Sequence, residues 1–541
     1  MNNEKRLFMA IALSILLILG YQSYMRRFAK PYQRMDKNTT QETVVSGTAS
    51  VQHGLEATVS SQPAYRTPEE ITTFENEIYH AVFTNHGAAI KELYMLRHNG
   101  KPGEPILLAR AEPGTPPILA TEDTMAQAGP LAWQLKEIGR ESVTYVAENE
   151  DQRLQKRFDF HNSNYIIELE LKIINKKAKS EDIRYKIIGS QANITGMQMD
   201  DMHAGADAKV NGKIYRQKPN LKKEQESKLL QGLPEWASVR SRYFSFVLKP
   251  EQEEQGAFIE SVNKKTAWSG IMLGPVAIQP YDTVIHKYLF YAGPNDPNLM
   301  KPLNIPPKEL IGFWVSSGIA NLLLRGVRFF YGFTKNYGIA IILLTIVISA
   351  ILTPLTRKSM KSMKDMQKIQ PEAEKIKKAY KDNPQKMNKE IMELYKKHKI
   401  NPMGGCLPMF LQFPIFVSLF QVLPRCIDLK GANFLWIKDL SSPDALLKLP
   451  ALAKLPVIQG QFNLLPILMA MAMAVQQKVS HPGGEVSDQQ RTMAIVMPIM
   501  FGFIFYNMAS SLVLYWLTNT IFTLLIQEVI LKSRQPATDI A

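Results

Sequence analysis

Hydrophobic and polar positions along the chain change their period several times, and each period predicts a different element. In 165–174, Ile167, Leu169, Leu171 and Ile173 alternate with polar residues, the period of a half-buried β-strand. Shorter alternating stretches recur between about residues 70 and 301, at 142–147, 183–188, 243–248, 257–259 and 284–291. Many short strands separated by turn residues favour an antiparallel sandwich. We therefore predict a large antiparallel β-sandwich domain over 71–305.

Long apolar runs replace this alternation from residue 336 onward. They cover about 337–355, 403–423, 461–479, 493–507 and 512–531, with the last two turning back near 507–511. A helix of about 19 residues is roughly 28 Å long, enough to cross a hydrocarbon layer of about 30 Å. These runs predict a five-helix membrane core within 336–534, and hence a polytopic α-helical membrane protein that carries the β-sandwich domain.

An apolar run at 7–25 follows Lys5 and Arg6. It is either a cleaved signal peptide or an uncleaved anchor. Basic residues rather than a small-residue cleavage site come next, which favours a transmembrane anchor over 1–25. The stretch 26–70 is rich in Thr, Ser and Gln and predicts a linker.

The apolar stretch at 310–331 is interrupted by Ser316-Ser317-Gly318 and by two arginines. A spanning helix there would reverse the side of the β-domain relative to the later spans. We therefore predict an interfacial helix over 306–335, with Trp314 and neighbouring aromatic residues at headgroup level.

The net charge of +15 is concentrated between the first two core spans. Segment 356–400 holds 14 Lys or Arg against 6 Asp or Glu. The positive-inside rule predicts that it is cytoplasmic. The β-domain is then outside, both termini are inside, and 535–541 forms a short cytoplasmic tail. Basic residues beside apolar spans favour membrane lipids or ribosomal RNA as partners rather than DNA.

Within 356–400 a helical apolar stripe is broken at Asn383-Pro384, which predicts a hairpin of two helices. Its methionines either pack the two helices together or meet varied apolar client segments. The residues expected to contact clients or partners are Met360, Met363, Met366, Lys375, Lys378 and Lys381.

No predicted span carries a charge at mid-depth. The uncharged polar residues of the spans are therefore the candidate functional residues. These side chains either form hydrogen bonds between helices or line a hydrated groove. The candidates are Thr345, Ser349, Gln412, Gln477, Tyr515, Trp516 and Asn519. The β-region offers no paired carboxylates, nucleophile motif or metal-spaced histidines, and Cys406 and Cys426 are the only cysteines. The sequence thus predicts neither an enzyme nor a cofactor.

Several motifs of the core resemble the YidC family of membrane protein insertases, in its Gram-negative form. They are Asn336-Tyr-Gly with Pro354-Leu-Thr, Asn401-Pro-Met-Gly-Gly-Cys-Leu-Pro with Gln412-Phe-Pro-Ile-Phe, Leu435-Trp-Ile-Lys-Asp-Leu, and Ser511-Leu-Val-Leu-Tyr. The resemblance covers the whole chain in architecture and is strongest over 336–530.

This resemblance implies a bacterial inner-membrane insertase and chaperone that releases nascent transmembrane segments into lipid, alone or with the Sec translocon. It implies the ribosome and the signal recognition particle machinery as further partners, and we expect any ribosome contact at the 356–400 hairpin. Thr345, Gln477 and Trp516 match groove-lining positions of the family. The family usually carries an arginine in the second span, and the aligned residue here is Ser349.

Two other classes of function remain open from the residues alone. A secondary transporter predicts internal repeats around a midplane site, and no repeat is visible. A membrane-anchored periplasmic scaffold needs neither so many spans nor a cytoplasmic hairpin. Reconstitution with a single-span client distinguishes the insertase from both.

Overall fold

The computed structural model describes residues 67–98, 101–112, 115–123, 131–193, 200, 203–218, 226–261, 266–311, 317–380, 383–398, 400, 407–449, 458, 460–480 and 488–532. The predicted anchor over 1–25, the linker up to residue 66 and the tail at 535–541 lie outside these residues. The chain divides into two compact units. One unit is Ala57–Asn321 with Gln421–Asp428, and the other includes Leu322–Phe420 and Leu429–Ala541.

The first unit is built from strands. They are β1 (Ile71–Glu75), β2 (Tyr79–Thr84), β3 (Ala89–His98), β4 (Lys101–Arg110), β5 (Thr121–Asp123), β6 (Trp133–Ile138), β7 (Ser142–Glu148), β8 (Gln152–Phe160), β9 (Ile166–Asn175), β10 (Glu181–Asn193), β11 (Gly205–Val210), β12 (Lys213–Gln217), β13 (Glu226–Gln231), β14 (Pro234–Arg240), β15 (Phe244–Pro250), β16 (Gly256–Ser261), β17 (Thr266–Ile278) and β18 (Thr283–Pro294).

These strands form antiparallel sheets. The nine-stranded sheet has the order β12-β11-β14-β15-β18-β9-β8-β7-β6, and the five-stranded sheet has the order β13-β16-β17-β10-β5. The two sheets face each other through β14 against β17 and β10, while β1-β2-β3-β4 form a third sheet. The predicted β-sandwich fold is confirmed.

The strand predicted at 165–174 is β9, in the middle of the large sheet. Its apolar set, Ile167, Leu169, Leu171 and Ile173, is fully buried. This set is held by antiparallel pairing to β18 on one side and to β8 on the other. The period-two pattern was readable because the other face of this strand is only partly covered.

Helices follow the strands. They are α1 (Pro307–Ile311), α2 (Ser317–Thr334), α3 (Tyr337–Lys368), α4 (Gln370–Ala379), α5 (Pro384–Lys397), α6 (Leu407–Val422), α7 (Leu464–Ser480), α8 (Asp488–Phe505) and α9 (Ser510–Lys532). A two-residue hairpin, β19 (Leu447–Lys448) with β20 (Gln461–Phe462), lies between α6 and α7. Among the described helices, two are long and apolar enough to cross a membrane by composition, within α3 and within α9, and α7 and α8 contain shorter apolar segments.

Helix α3 differs most from the sequence prediction. The predicted span ended at residue 355, whereas α3 continues to Lys368 with Pro354 inside it. Proline removes one backbone hydrogen bond, and the Lys, Met and Arg residues that follow favour helix. The Thr353 hydroxyl donates to the Ser349 carbonyl at 2.8 Å beside this gap. Met360, Met363 and Met366 therefore lie on α3, and the hairpin itself consists of α4 and α5.

The break between α4 and α5 follows the predicted capping pattern. Pro384 is the first residue of α5, and the Asn383 side chain accepts a hydrogen bond from the Lys386 amide at 3.1 Å. The two helices pack through Ile369, Ala373 and Leu394. The buried members of this core are aliphatic and, among the described side chains, the core includes neither Met360 nor Met366.

The segment 429–449 packs across the end of the helical unit at which α3, α7 and α9 begin. Asp444 is buried there and accepts hydrogen bonds from the Leu464 and Leu465 amides at 2.8 and 3.0 Å, at the start of α7. The Ser510 amide, at the start of α9, donates to the Ser442 carbonyl at 2.9 Å. The first turns of two helices are thus held by one loop, which satisfies backbone donors that a helix leaves unpaired.

Candidate functional site: a polar strip on α9

Helix α9 is the central helix of the second unit. It packs against α3 on one side and α7 on the other, and α8 packs against α7. Most large apolar side chains that the helices expose, such as Ile351 on α3, Phe413 on α6 and Leu525 on α9, point away from these contacts. The polar candidates lie mainly in the contacts between helices.

Ser349 and Asn519 connect α3 to α9. The Ser349 hydroxyl donates to Asn519 Oδ1 at 2.9 Å, and Ser349 is buried. Ser349 comes twelve residues after the start of α3, about 18 Å along its axis, which is near the middle of a hydrocarbon layer. Thr345, one turn earlier, is also buried and donates to the Ile341 carbonyl of its own helix at 2.6 Å.

Gln412 and Tyr515 connect α6 to α9. The Gln412 amide donates to the Tyr515 hydroxyl, and the tyrosine ring is fully buried. Tyr515 and Asn519 are four residues apart, so they occupy the same face of α9. We call Ser349, Gln412, Tyr515 and Asn519 the polar strip. The strip bonds α9 to two different helices and carries no formal charge.

Trp516, next to the strip, lies in an aromatic cluster. Its ring centroid is 5.1 Å from that of Phe416 on α6, and 5.4 and 5.5 Å from those of Phe501 and Phe505 on α8. Edge-to-face and offset contacts at these distances are favourable. Sequence reasoning selected Trp516 but missed the three phenylalanines, although the four-residue spacing of Phe501 and Phe505 was a signal for a shared helix face.

The remaining candidates lie elsewhere. Gln477 is half-buried near the C-terminal end of α7. On α3, Met360 and Met366 are half-buried, and on α4, Lys375 and Lys378 are exposed. The Met363 side chain and Lys381 lie outside the described residues. Within the described ranges, no group of three or more His, Cys, Asp or Glu side chains is placed to hold a metal ion.

Comparison with known proteins gives two family models and many relatives. The model described as 60Kd inner membrane protein matches residues 329–537, and the YidC periplasmic domain model matches residues 71–313. A membrane protein insertase YidC from Geotalea uraniireducens is 30% identical, over 98% of this chain and 99% of the relative. One from Pelobacter propionicus is also 30% identical, over 96% and 98% respectively.

Among solved structures, an active YidC insertase with its first transmembrane domain resolved aligns with 86% of this chain and 94% of its own, at 19% identity and a TM-score of 0.36. The sequence relatives carry the assignment, because their similarity extends over nearly the full length of both proteins. The two family models cover the β-unit and the helical unit in turn. The chain therefore belongs to the YidC family of membrane protein insertases, inner-membrane proteins with a periplasmic domain.

Proposed function

We propose that the chain inserts client segments along the contact of α3, α6 and α9, with the polar strip as the client's path. The observation that carries this proposal is that α9 bonds to α3 through Asn519 and to α6 through Tyr515, from one face. Hydrogen bonds between membrane helices average about 0.6 kcal/mol. Separating these helices is therefore inexpensive when a client supplies replacement polar groups.

The strip also explains how a hydrophilic flank crosses lipid. A backbone or polar group without a partner in hydrocarbon costs several kcal/mol. Ser349, Gln412 and Asn519 near mid-depth, and Tyr515 nearer the start of α9, offer donors and acceptors. A client flank therefore exchanges water for side-chain hydrogen bonds before it leaves the membrane. No covalent step is involved, and the function is that of an insertase and chaperone rather than an enzyme.

The proposed topology follows the charge distribution. Segment 356–400 has eight more basic than acidic residues and is placed in the cytoplasm with both termini. The proposed domains are the anchor at 1–25, the linker at 26–70, the β-domain at 71–305, the interfacial helix at 306–335, the insertase core at 336–534 and the tail at 535–541. The stripe of Leu322, Phe329 and Phe333, exposed on α2, supports an interfacial position for that helix.

The proposed partners follow from this arrangement. Nascent membrane proteins are the clients, and membrane lipids surround the exposed apolar faces of the helices. The Sec translocon, the ribosome and the signal recognition particle machinery are proposed as delivery partners that meet the cytoplasmic hairpin. The proposed contact residues are Met360, Met363 and Met366 on α3, before the hairpin, and Lys375, Lys378 and Lys381 in the hairpin.

Reconstitution tests the strip directly. Proteoliposomes receive a single-span client, and the protease-protected fragment measures insertion. Asn519→Leu and Gln412→Leu remove strip groups while keeping side-chain volume, and we expect about a tenfold loss of insertion for each, equivalent to about 1.4 kcal/mol.

Thr523→Val is the matched control, because the Thr523 hydroxyl donates to the Asn519 carbonyl of its own helix at 2.8 Å and forms no hydrogen bond to a second helix among the described residues. It should insert the client at the unmodified rate. Normal insertion by folded Asn519→Leu and Gln412→Leu proteins would refute the strip as the client's path.

A further inference from the structure

A cleft of about 620 Å³ opens between the C-terminal end of α3 and the α4–α5 hairpin. It lies entirely in the helical unit, well beyond the polar strip along α3. Its lining side chains are Lys358, Lys361, Ser362, Asp365, Lys368, Ile369, Glu372, His398 and Ile400.

The charges in the cleft do not balance. Asp365 Oδ1 lies 3.0 Å from the Lys368 amine, and Glu372 Oε2 lies 3.5 Å from His398 Nε2. Both carboxylates of the lining thus have a basic neighbour. Lys358 and Lys361 are exposed and, within the part of the chain that is described, have no ion-pair partner. They are three residues apart and share one face of α3.

The other end of the cleft is apolar. Ile369 is buried in the hairpin core with Ala373 and Leu394, and Ile400 packs against the same core. The cleft therefore presents two ammonium groups at one end and an isoleucine floor at the other. A ligand that satisfies both ends needs an acidic group and an apolar group separated along its length.

The dimensions distinguish a peptide from a lipid. The interval from Lys358 to Ile369 is eleven residues, about 16 Å at helical rise, which equals about five residues of extended chain. Measured from Leu355, the end of the apolar run, Ile369 is about 21 Å away, well past a headgroup layer of about 5–8 Å. A lipid headgroup at Lys358 would leave the isoleucine floor uncovered.

We propose that this cleft binds an extended client segment whose acidic side chains meet Lys358 and Lys361 and whose apolar side chains meet Ile369 and Ile400. The inference rests on the proposed function and specifies the class of client flank that is captured first. Because the polar strip is uncharged, selection for acidic flanks occurs at this cleft, about 13 Å along α3 from Ser349. The strip then accepts the segment on polarity alone.

Peptide binding to the full chain in phosphatidylcholine nanodiscs tests the proposal. The probe is a short fluorescent peptide with paired aspartates and paired leucines, compared with versions carrying asparagine for aspartate or serine for leucine. We expect the parent peptide to bind best and to weaken with added salt. Lys358→Gln with Lys361→Gln should reduce its affinity by about tenfold, since each exposed pair contributes up to about a factor of five.

The matched control replaces Lys389 and Lys397 with glutamine, because both are exposed on α5 outside the cleft. Equal loss in the two double variants would overturn the proposal and leave only general attraction by a basic hairpin. Equal binding of the three peptides would overturn it as well. Loss of the peptide in nanodiscs that contain phosphatidylglycerol would assign the lysines to lipid instead.

Insertion assays separate this inference from the proposed function. Lys358→Gln with Lys361→Gln should slow insertion of a client with an acidic flank and leave a matched neutral client unchanged. If neither client is inserted by the unmodified protein, the proposed function fails. If both clients are inserted equally by the double variant, only the cleft proposal fails.

Discussion

Ser349 donates its hydroxyl to Asn519 across the contact of α3 and α9, at 2.9 Å. The serine is buried, so this face of α3 is packed against a neighbouring helix rather than open to solvent. The sequence alone left both arrangements possible. Because this face is packed, a larger, charged side chain at residue 349 has to separate the two helices.

We predict that Ser349→Arg destabilises the protein. An arginine near mid-depth costs roughly 2.5–3.5 kcal/mol on insertion scales, and here its volume must also separate α3 from α9. Yield of monodisperse protein and the melting temperature in detergent measure the effect. Ser349→Ala, which loses one interhelical hydrogen bond worth about 0.6 kcal/mol, is the control and should remain folded. A Ser349→Arg protein of normal yield that favours acidic clients would show instead that the face is hydrated.

A second prediction concerns the close contact of Gly338 with Phe434. A Cβ at Gly338 would lie 2.2 Å from Cγ of the Phe434 ring, so any side chain there displaces the loop that packs across the start of α3. We expect Gly338→Ala to lower stability by about 1–3 kcal/mol, the usual range for overpacking. Thermal unfolding in detergent measures it.

Gly332→Ala on α2 is the matched control for this prediction. Apart from its chain neighbours and its own helix backbone, no described atom lies within 4 Å of a Cβ built at Gly332, and alanine is the better helix former by up to about 1 kcal/mol. Gly332→Ala should therefore be neutral or stabilising. Combining Gly338→Ala with Phe434→Leu should restore part of the loss, and the absence of any rescue would count against the ring contact as its cause.

The sequence predicted secondary-structure elements better than it predicted which residues contact each other. The alternation in 165–174 identified β9 because burial on one face of a strand leaves a period-two pattern. The end of α3 was missed because charged residues stop an apolar run without stopping a helix. The polar strip could be chosen residue by residue, but not paired, since Ser349 and Asn519 are separated by 170 residues and composition does not encode which helices touch.

A third prediction uses Lys156, which is completely buried in β8. Its amine donates to the carbonyls of Gly87, at 3.1 Å, and Leu119. Burial lowers the pKa of this amine well below its usual value. The folded state therefore binds fewer protons than the unfolded chain between the folded pKa and about 10.4, and stability rises with pH across that window.

Hydrogen exchange of β8 peptides in the full chain measures this dependence. After correction for intrinsic exchange rates, protection should increase with pH, above the lowered folded-state pKa and below the unfolded-state pKa, by up to about 1.4 kcal/mol per pH unit. Lys156→Met should remove that part of the slope. Lys172→Met, at a partly exposed position on neighbouring β9, should keep it. Parallel slopes for the unmodified protein and Lys156→Met would mean that the amine remains charged when buried.

The last prediction concerns deletion of the β-domain. The polar strip and the cleft are formed by α3, α4, α5, α6 and α9, so removal of roughly 75–290 should leave insertion largely intact. The deletion removes one local contact of the segment that remains. Arg242 is buried, donates from Nε to the Pro424 carbonyl at 2.8 Å, and pairs with Asp200 at 3.1 Å. Without Arg242, the segment Gln421–Asp428 that follows α6 loses this anchor.

We therefore expect the deletion protein to insert a single-span client at close to the unmodified rate while 421–428 exchanges amide hydrogens faster. Arg242→Ala, with the domain present, should reproduce the faster exchange, because the Pro424 carbonyl loses a charge-assisted hydrogen bond of about 1.5–3 kcal/mol. Arg153→Ala, which removes an exposed surface ion pair of the same domain, should change neither quantity. A stably expressed deletion protein that inserts no client would mean that the β-domain takes part in insertion itself. Normal insertion with unchanged exchange would mean that the segment is held by contacts of its own.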